Sequence, residues 1–276
     1  MSVLPPTVVW GTGPNSSKTH VSLALLRLLA RRDVPVLPFK AVCVLEPERW
    51  RRDPGACPIP HHVAAARTTW RPELAPVVVE LAGGNGPARG LLRVHGEPAG
   101  EVRLLTPDTV DGADMAPAVR EHVRHAVVSA LDALTATSSA LVVEGAGSPV
   151  DAIDDVANVL VARHLPERRI LLSTYCWNGG SAAALVGTLA LLPADLRRSV
   201  IGVVQNRAMS APAAARWART VEERTGTPLL GTVGDLTGVA NADLPISSGT
   251  LADPWADALA AGADLSWLMP MTEVEG

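Results

Sequence analysis

Lysine is nearly absent from this chain. Of its 24 lysine and arginine residues only Lys18 and Lys40 are lysine. A GC-rich coding bias toward arginine accounts for the scarcity but not for where the two exceptions fall. An ammonium is a compact point charge that fits against phosphate oxygens in a tight loop, where a planar guanidinium needs more room. Cysteine is almost as scarce. Cys43, Cys57 and Cys176 are odd in number and spaced for neither a zinc site nor a disulfide framework, so they read as reduced thiols. Cys176 alone falls in a loop of the candidate site. Long apolar runs are missing too: none approaches the roughly 18 residues needed to cross a bilayer, and no basic stretch leads into an apolar segment and cleavage site. No membrane association is expected, and the cytoplasm is the expected compartment. Nor is there an excess of base. A formal charge of -4 and a pI near 6.0 exclude a broad nucleic-acid footprint while leaving room for a small anionic ligand.

What is present is a globular composition, 47% hydrophobic and 19% charged, in 276 residues with no Pro/Gly/Ser-rich linker, repeat or low-complexity segment. One domain is expected over 1–236, with 237–276 as a tail packed on it. Apolar runs of strand length at 7–10, 34–39, 141–144, 170–174, 200–205 and 228–231 alternate with amphipathic segments at 18–31, 117–135, 181–192 and 211–225. That order predicts an α/β fold, a mostly parallel sheet with helices on both faces. Between Val77 and Leu105 the pattern changes. A break at Gly83, Gly84 and Gly86 precedes two strand-like pieces flanking His95, Gly96 and Glu97, which reads as an inserted hairpin.

The first strand runs into Gly11-Thr12-Gly13-Pro14-Asn15-Ser16-Ser17-Lys18-Thr19, and a helical pattern at Val21, Leu25, Leu28 and Leu29 follows. Strand, loop and helix in this order surround phosphates with backbone N–H groups and a helix N-terminus. The lysine of such a loop reaches the β- and γ-phosphates, and the hydroxyl after it ligates magnesium. Gly11, Thr12, Gly13, Asn15, Ser16, Ser17, Lys18 and Thr19 are therefore the candidate ATP-binding residues. The loop is one residue longer than G-x4-G-K-[ST], and Ser17 stands where glycine is usual, which predicts crowding or a strained backbone angle. Glu144 ends an apolar strand, so its carboxylate emerges at the sheet edge where open α/β folds bind ligands. There it is a candidate for holding Mg2+ together with Thr19, with Gly145 and Gly147 letting the backbone turn closely past the ion.

The lengthened loop resembles the G-T-x5-K-[ST] of the dethiobiotin synthetase and cobyric acid synthase family, and Asn15 matches the S-N-x-G-K-S version of cobyric acid synthases. The likeness continues through V-L-P-F-K at Val36 to Lys40, L-V-V-E-G-A-G-S-P at Leu141 to Pro149, the G-G-x6-G-T-L-x-L-L-like segment from Gly179 to Pro193, and V-V-Q-N-R at Val203 to Arg207. The resemblance implies a P-loop nucleotide-binding fold. It also implies a substrate- or phosphate-facing role for Lys40, a magnesium ligand at Glu144, a base-recognising role for Asn206, and a homodimer. Three departures stand out. Ser17 replaces glycine. The D-x-D-R-G-G stretch of cobyric acid synthases is Thr174-Tyr175-Cys176-Trp177-Asn178-Gly179-Gly180 here. The acceptor-binding region has Pro60-His61-His62 in place of G-R-x-Q, a pair read as a solvated loop feature with substrate contact as the alternative. The glutaminase domain of cobyric acid synthases is not expected in this chain, and the expected nitrogen source is a free amine, ammonia or a separate glutaminase subunit.

Together these residues predict an ATP- and magnesium-dependent ligase with Lys18, Lys40 and Glu144 as catalytic groups. Its substrate would be a small-molecule carboxylate or amine other than cobyrinate, activated by phosphoryl transfer and amidated. Carbamate ring closure of the dethiobiotin synthetase type, and a degenerate nucleotide-binding switch or subunit, are the alternatives.

Overall fold

Val8, Val9 and Trp10 are wholly buried, with no polar residue alternating between them, as suits a strand in the middle of a parallel sheet. The computed structural model describes residues 4–45, 58–81, 89–106, 109–110, 114–152, 154–175, 180–208, 210–234 and 252–268. Its strands are β1 (Thr7–Gly11), β2 (Val36–Phe39), β3 (Val42–Leu45), β4 (Val77–Leu81), β5 (Arg89–Val94), β6 (Glu97–Thr106), β7 (Thr109–Val110), β8 (Ala140–Glu144), β9 (Arg169–Tyr175), β10 (Val200–Asn206) and β11 (Leu229–Val233). Its helices are α1 (Lys18–Arg31), α2 (Pro58–Ala65), α3 (Pro117–Thr135), α4 (Val159–His164), α5 (Ser181–Leu191), α6 (Ala194–Arg197), α7 (Ala211–Thr225) and α8 (Asp253–Gly262).

The main sheet has six strands in the order β11-β10-β9-β1-β8-β2, all parallel. The chain leaves β1 toward β2 on one side and leaves β9 toward β10 on the other. The crevice between β1 and β9 is thus the topological switch point at which open α/β sheets bind ligands. Alternate residues of the strands face opposite layers. Val9, Leu171 and Val204 pack against Val21, Leu25, Leu28 and Leu29 of α1. On the other face Val8, Trp10, Ile170, Leu172 and Val203 join Val123, Val127 and Leu131 of α3 and Leu185 of α5. The expected strand at 34–39 begins only at Val36, because Val34 N–H closes the end of α1 onto Leu29 O at 3.1 Å. The last strand starts at Leu229 and runs on to Val233.

The expected hairpin is present as β5 and β6, paired antiparallel through turn residues His95 and Gly96, both with positive φ. It belongs to a larger unit than expected, a second sheet in the order β3-β4-β5-β6-β7. Only Lys40 and Ala41 separate β2 from β3, so the chain passes directly from one sheet to the other. Val77, Val79, Leu92, Val94 and Val102 of the second sheet share one buried cluster with Phe39, Trp10 and α3. In the C-terminal region, α8 packs Trp255, Ala256 and Leu259 onto the α1 layer. Arg27 bonds Asp253 at 2.6 Å and Arg31 bonds Asp257 at 2.5 Å, fastening α8 to α1.

Candidate functional site

The ends of β1, β2, β8, β9 and β10 converge at the carboxyl edge of the main sheet. Gly11 ends β1 under a loop folded so tightly that a Cβ there would lie 1.8 Å from Ser16 Oγ and 2.9 Å from Lys18 Cγ. Any larger residue here would force the Ser16 and Lys18 side chains to shift. Ser17 caps α1 with φ 65° and ψ 22°, the left-handed region that favours glycine, and Asn15 also has positive φ. Ser16 Oγ is buried without a hydrogen bond, and Ser16 O accepts from Ser173 Oγ at 2.6 Å. Thr12 Oγ1 lies 3.3 Å from Thr174 Oγ1. Lys18 is buried, and its Nζ donates to Gly13 O and to Gly147 O, each at 2.9 Å.

Glu144 is the centre of the cluster. Its Oε1 accepts from Thr19 Oγ1 at 2.9 Å and from Lys40 Nζ at 2.7 Å. Lys40 Nζ also donates to Gly145 O at 3.2 Å. His62 Nε2 stands 3.0 Å from Oε2, an ion-pair contact when the imidazole is protonated. Burial pushes the Glu144 carboxyl up, but Lys40 and His62 outweigh it and hold the group well below the usual carboxylate range. The carboxylate is therefore ionised at neutral pH inside the protein. Next to Thr19, His20 stacks on Trp255 with ring centroids 3.9 Å apart and 14° between planes. Burial pushes its imidazole down to about 4, with Glu144 opposing and Arg207 adding to the fall.

Asn206, at the end of β10, is buried behind the phosphate loop. Its Nδ2 donates to Ser173 Oγ at 3.0 Å and to Thr174 O at 3.4 Å, while Oδ1 has no hydrogen bond. The structure thus brings Lys18, Thr19, Lys40 and Glu144 into direct contact or one contact apart, with Asn206 beside them through Ser173. The Thr19 hydroxyl and the Glu144 carboxylate are hard oxygen donors that suit Mg2+, which takes one or two carboxylates and otherwise keeps water and phosphate oxygens. Among the described residues no group of three or more His, Cys, Asp and Glu gathers as a metal cage. No helix among them is long and apolar enough to cross a membrane.

Most of the chain is similar to part of a cobyric acid synthase. It is 33% identical to that of Chloroflexus aggregans over 236 residues, 83% of this chain and 45% of the relative. It is 32% identical to that of Roseiflexus castenholzii over 235 residues, again 83% and 45%. A probable cobyric acid synthase of Methanoculleus marisnigri is 32% identical over 257 residues, 87% of this chain and 46% of the relative. The chain thus spans just under half the length of these curated relatives. No family profile matches it. Among solved structures, apo McdA of Cyanthece superimposes with a TM-score of 0.49 at 13% identity, covering 93% of this chain and 95% of that one. The MinD cell division protein of Aquifex aeolicus gives 0.45 at 11% identity, covering 97% and 99%.

Two features of this cobyric acid synthase-like site escaped the sequence reading. His61 and His62 are not in a solvated loop. They lie on α2, buried, and His62 faces Glu144. The turn after Glu144 rests on Asp155 and Asn158, whose D-x-x-N spacing before an apolar helix is the local signal that marks such a side-chain-to-backbone turn. Cys57 and 176–179, which include most of the altered D-x-D-R-G-G stretch, lie outside the described residues.

Proposed function

We propose that the chain is an ATP- and Mg2+-dependent carbon–nitrogen ligase that activates a small-molecule carboxylate by phosphoryl transfer and forms an amide. The observation that carries this reading is the convergence of Lys18, Thr19 and Lys40 on Glu144 and the 145–147 turn, at the carboxyl edge of a parallel sheet. Similarity to cobyric acid synthases supports the same class of reaction. In this reading Lys18 leaves the Gly13 and Gly147 oxygens to cover the β- and γ-phosphates, and the loop N–H groups of residues 11–19 line them. Thr19 and Glu144 would hold Mg2+, whose charge would offset that of the phosphate oxygens. Lys40 turns from Glu144 to the acceptor carboxylate or the charge developing on the transferred group. Asn206, at the end of β10, is the residue read as recognising the base. The protein contributes mainly positioning and charge neutralisation. The same proposal takes nitrogen from ammonia, a free amine or a separate glutaminase subunit, and expects a cytoplasmic homodimer.

Oxygen-18 in the acceptor carboxylate tests it. Incubation with ATP, Mg2+ and a panel of carboxylates and amines identifies the acceptor by mass spectrometry, and the labelled acceptor is then turned over. One labelled oxygen should leave in each phosphate released, because nitrogen displaces phosphate from a mixed anhydride. Label arriving only from bicarbonate would mean carbamate ring closure. Unlabelled phosphate in both experiments, with ATP consumed, would leave a hydrolytic switch.

A further inference from the structure

The 145–147 turn serves both lysines, since Gly145 O accepts from Lys40 and Gly147 O from Lys18. What fixes the turn is a buried side-chain pair that no chemistry has yet claimed. Asn158 makes a two-bond clasp on Ala146: its Oδ1 accepts from Ala146 N at 3.1 Å and its Nδ2 donates to Ala146 O at 2.8 Å. The same Nδ2 donates to Asp155 Oδ2 at 2.7 Å. Asp155 Oδ1 accepts from the N–H groups of Ala157 and Asn158, both at 2.8 Å, so the clasp has its own anchor. The approach is close enough to dictate sequence. A Cβ at Gly145 would lie 2.2 Å from Asn158 Oδ1 and 2.7 Å from Trp10 Cδ1.

We propose that Asn158, held by Asp155, is a positioning residue that sets the 145–147 turn and, through its carbonyl oxygens, the ammonium groups of both Lys18 and Lys40. A buried amide satisfied on both sides is rigid, and supporting partners of this kind typically change affinity or activity about 10–100-fold when removed. The chain's own composition provides a direct readout. With only two lysines, protein labelled with carbon-13 at lysine Cε gives two resonances, one for each site ammonium.

Asn158→Ala should move both resonances from their wild-type positions and weaken MgATP binding, read by calorimetry, about tenfold or more. Val127→Ala, a buried change on α3, an element that carries no residue of the turn and neither lysine, should lower the Tm while leaving both resonances in place and affinity within about twofold. If Asn158→Ala does not fold, Asp155→Asn is read in the same way, since it sets an amide against the Asn158 amide and loosens the clasp. Unchanged resonances in the loop variants, resonances moved equally by Val127→Ala, or wild-type affinity retained would overturn the proposal. The binding measurement rests on the nucleotide reading above, whereas the lysine spectrum does not. Wild-type protein that fails to bind MgATP would reject that reading and leave the spectra to decide the positioning role.

Discussion

Lys40→Met exposes the energetics of the site most sharply. Glu144 is 3% exposed and Lys40 8%, and the pair meets at 2.7 Å. Removing the ammonium leaves an ionised carboxylate inside the protein with Thr19 and His62 beside it. Breaking a buried pair from one side costs about 3–5 kcal/mol. Glu144→Gln should cost less, because Gln Oε1 still accepts from Lys40 and Thr19 and the ammonium keeps Gly145 O. The double variant removes both charges and should recover about 2–3 kcal/mol relative to the sum of the singles. The sign of the pH dependence follows. In the wild type the Glu144 carboxyl is depressed, so its stabilisation is present above the unfolded value, 4.5, and is lost as pH falls toward the folded one. Without Lys40 more of the burial effect is unopposed and the folded value rises, so the gap between wild type and variant should widen from pH 4 to pH 7. Urea unfolding of the four proteins across that range measures each quantity. A Lys40→Met cost under about 1 kcal/mol, or a coupling under about 0.5 kcal/mol, would show that the carboxylate is not held by this pair.

Three further outcomes are expected. Lys18→Ala should keep the fold and lower turnover at least about 100-fold, the loss typical of one transition-state donor, and turnover within about threefold of wild type would reject its role. Ser17→Gly should relieve a left-handed residue, raising stability by about 1 kcal/mol and tightening binding of a non-hydrolysable ATP analogue; a fall in the Tm would mean that the serine makes a contact of its own. Burial pushes the Asp155 carboxyl up to about 6 from an ordinary 3.8, so the folded state binds its proton more tightly and the stability contribution falls as pH rises through that window. Asp155→Asn does not titrate and should gain on wild type by about 2 kcal/mol between pH 4 and pH 7; a flat difference in urea midpoints would refute the assignment.

The strand, the 11–19 loop and the helix behind it were legible because each element carried a local cause. The apolar run at Val8 to Trp10, the glycine at Gly11 and the period of Val21, Leu25 and Leu28 act within a few residues of one another. Helices α1, α3 and α7 were read at their observed bounds for the same reason, with Pro117 at the start of α3, and a Ser210 cap and positive-φ Gly226 around α7. Non-local pairings were not legible. Val42 to Leu45 is one more apolar run after Val36 to Phe39, and nothing local says that its partner is β4. His62 meets Glu144 only because α2 packs against α1 and β2, a fact of tertiary packing that its neighbours in sequence do not encode. Helix α8 was a different kind of miss: Asp253-Pro254 is a start signal, but weak periodicity in the preceding segment hid it.

Lys18 spans the mouth of the phosphate loop, tied to Gly13 O on one side and Gly147 O on the other. Under the proposed function this ammonium, held by two carbonyl oxygens, would have to leave both to meet a phosphate. Capture would then proceed by encounter followed by exchange of those two contacts. Under rapid mixing, the observed rate should climb with ligand concentration only until the exchange becomes limiting, and then level off. Selectivity would then act twice, once at arrival and again at an exchange that favours an anion able to replace both oxygens.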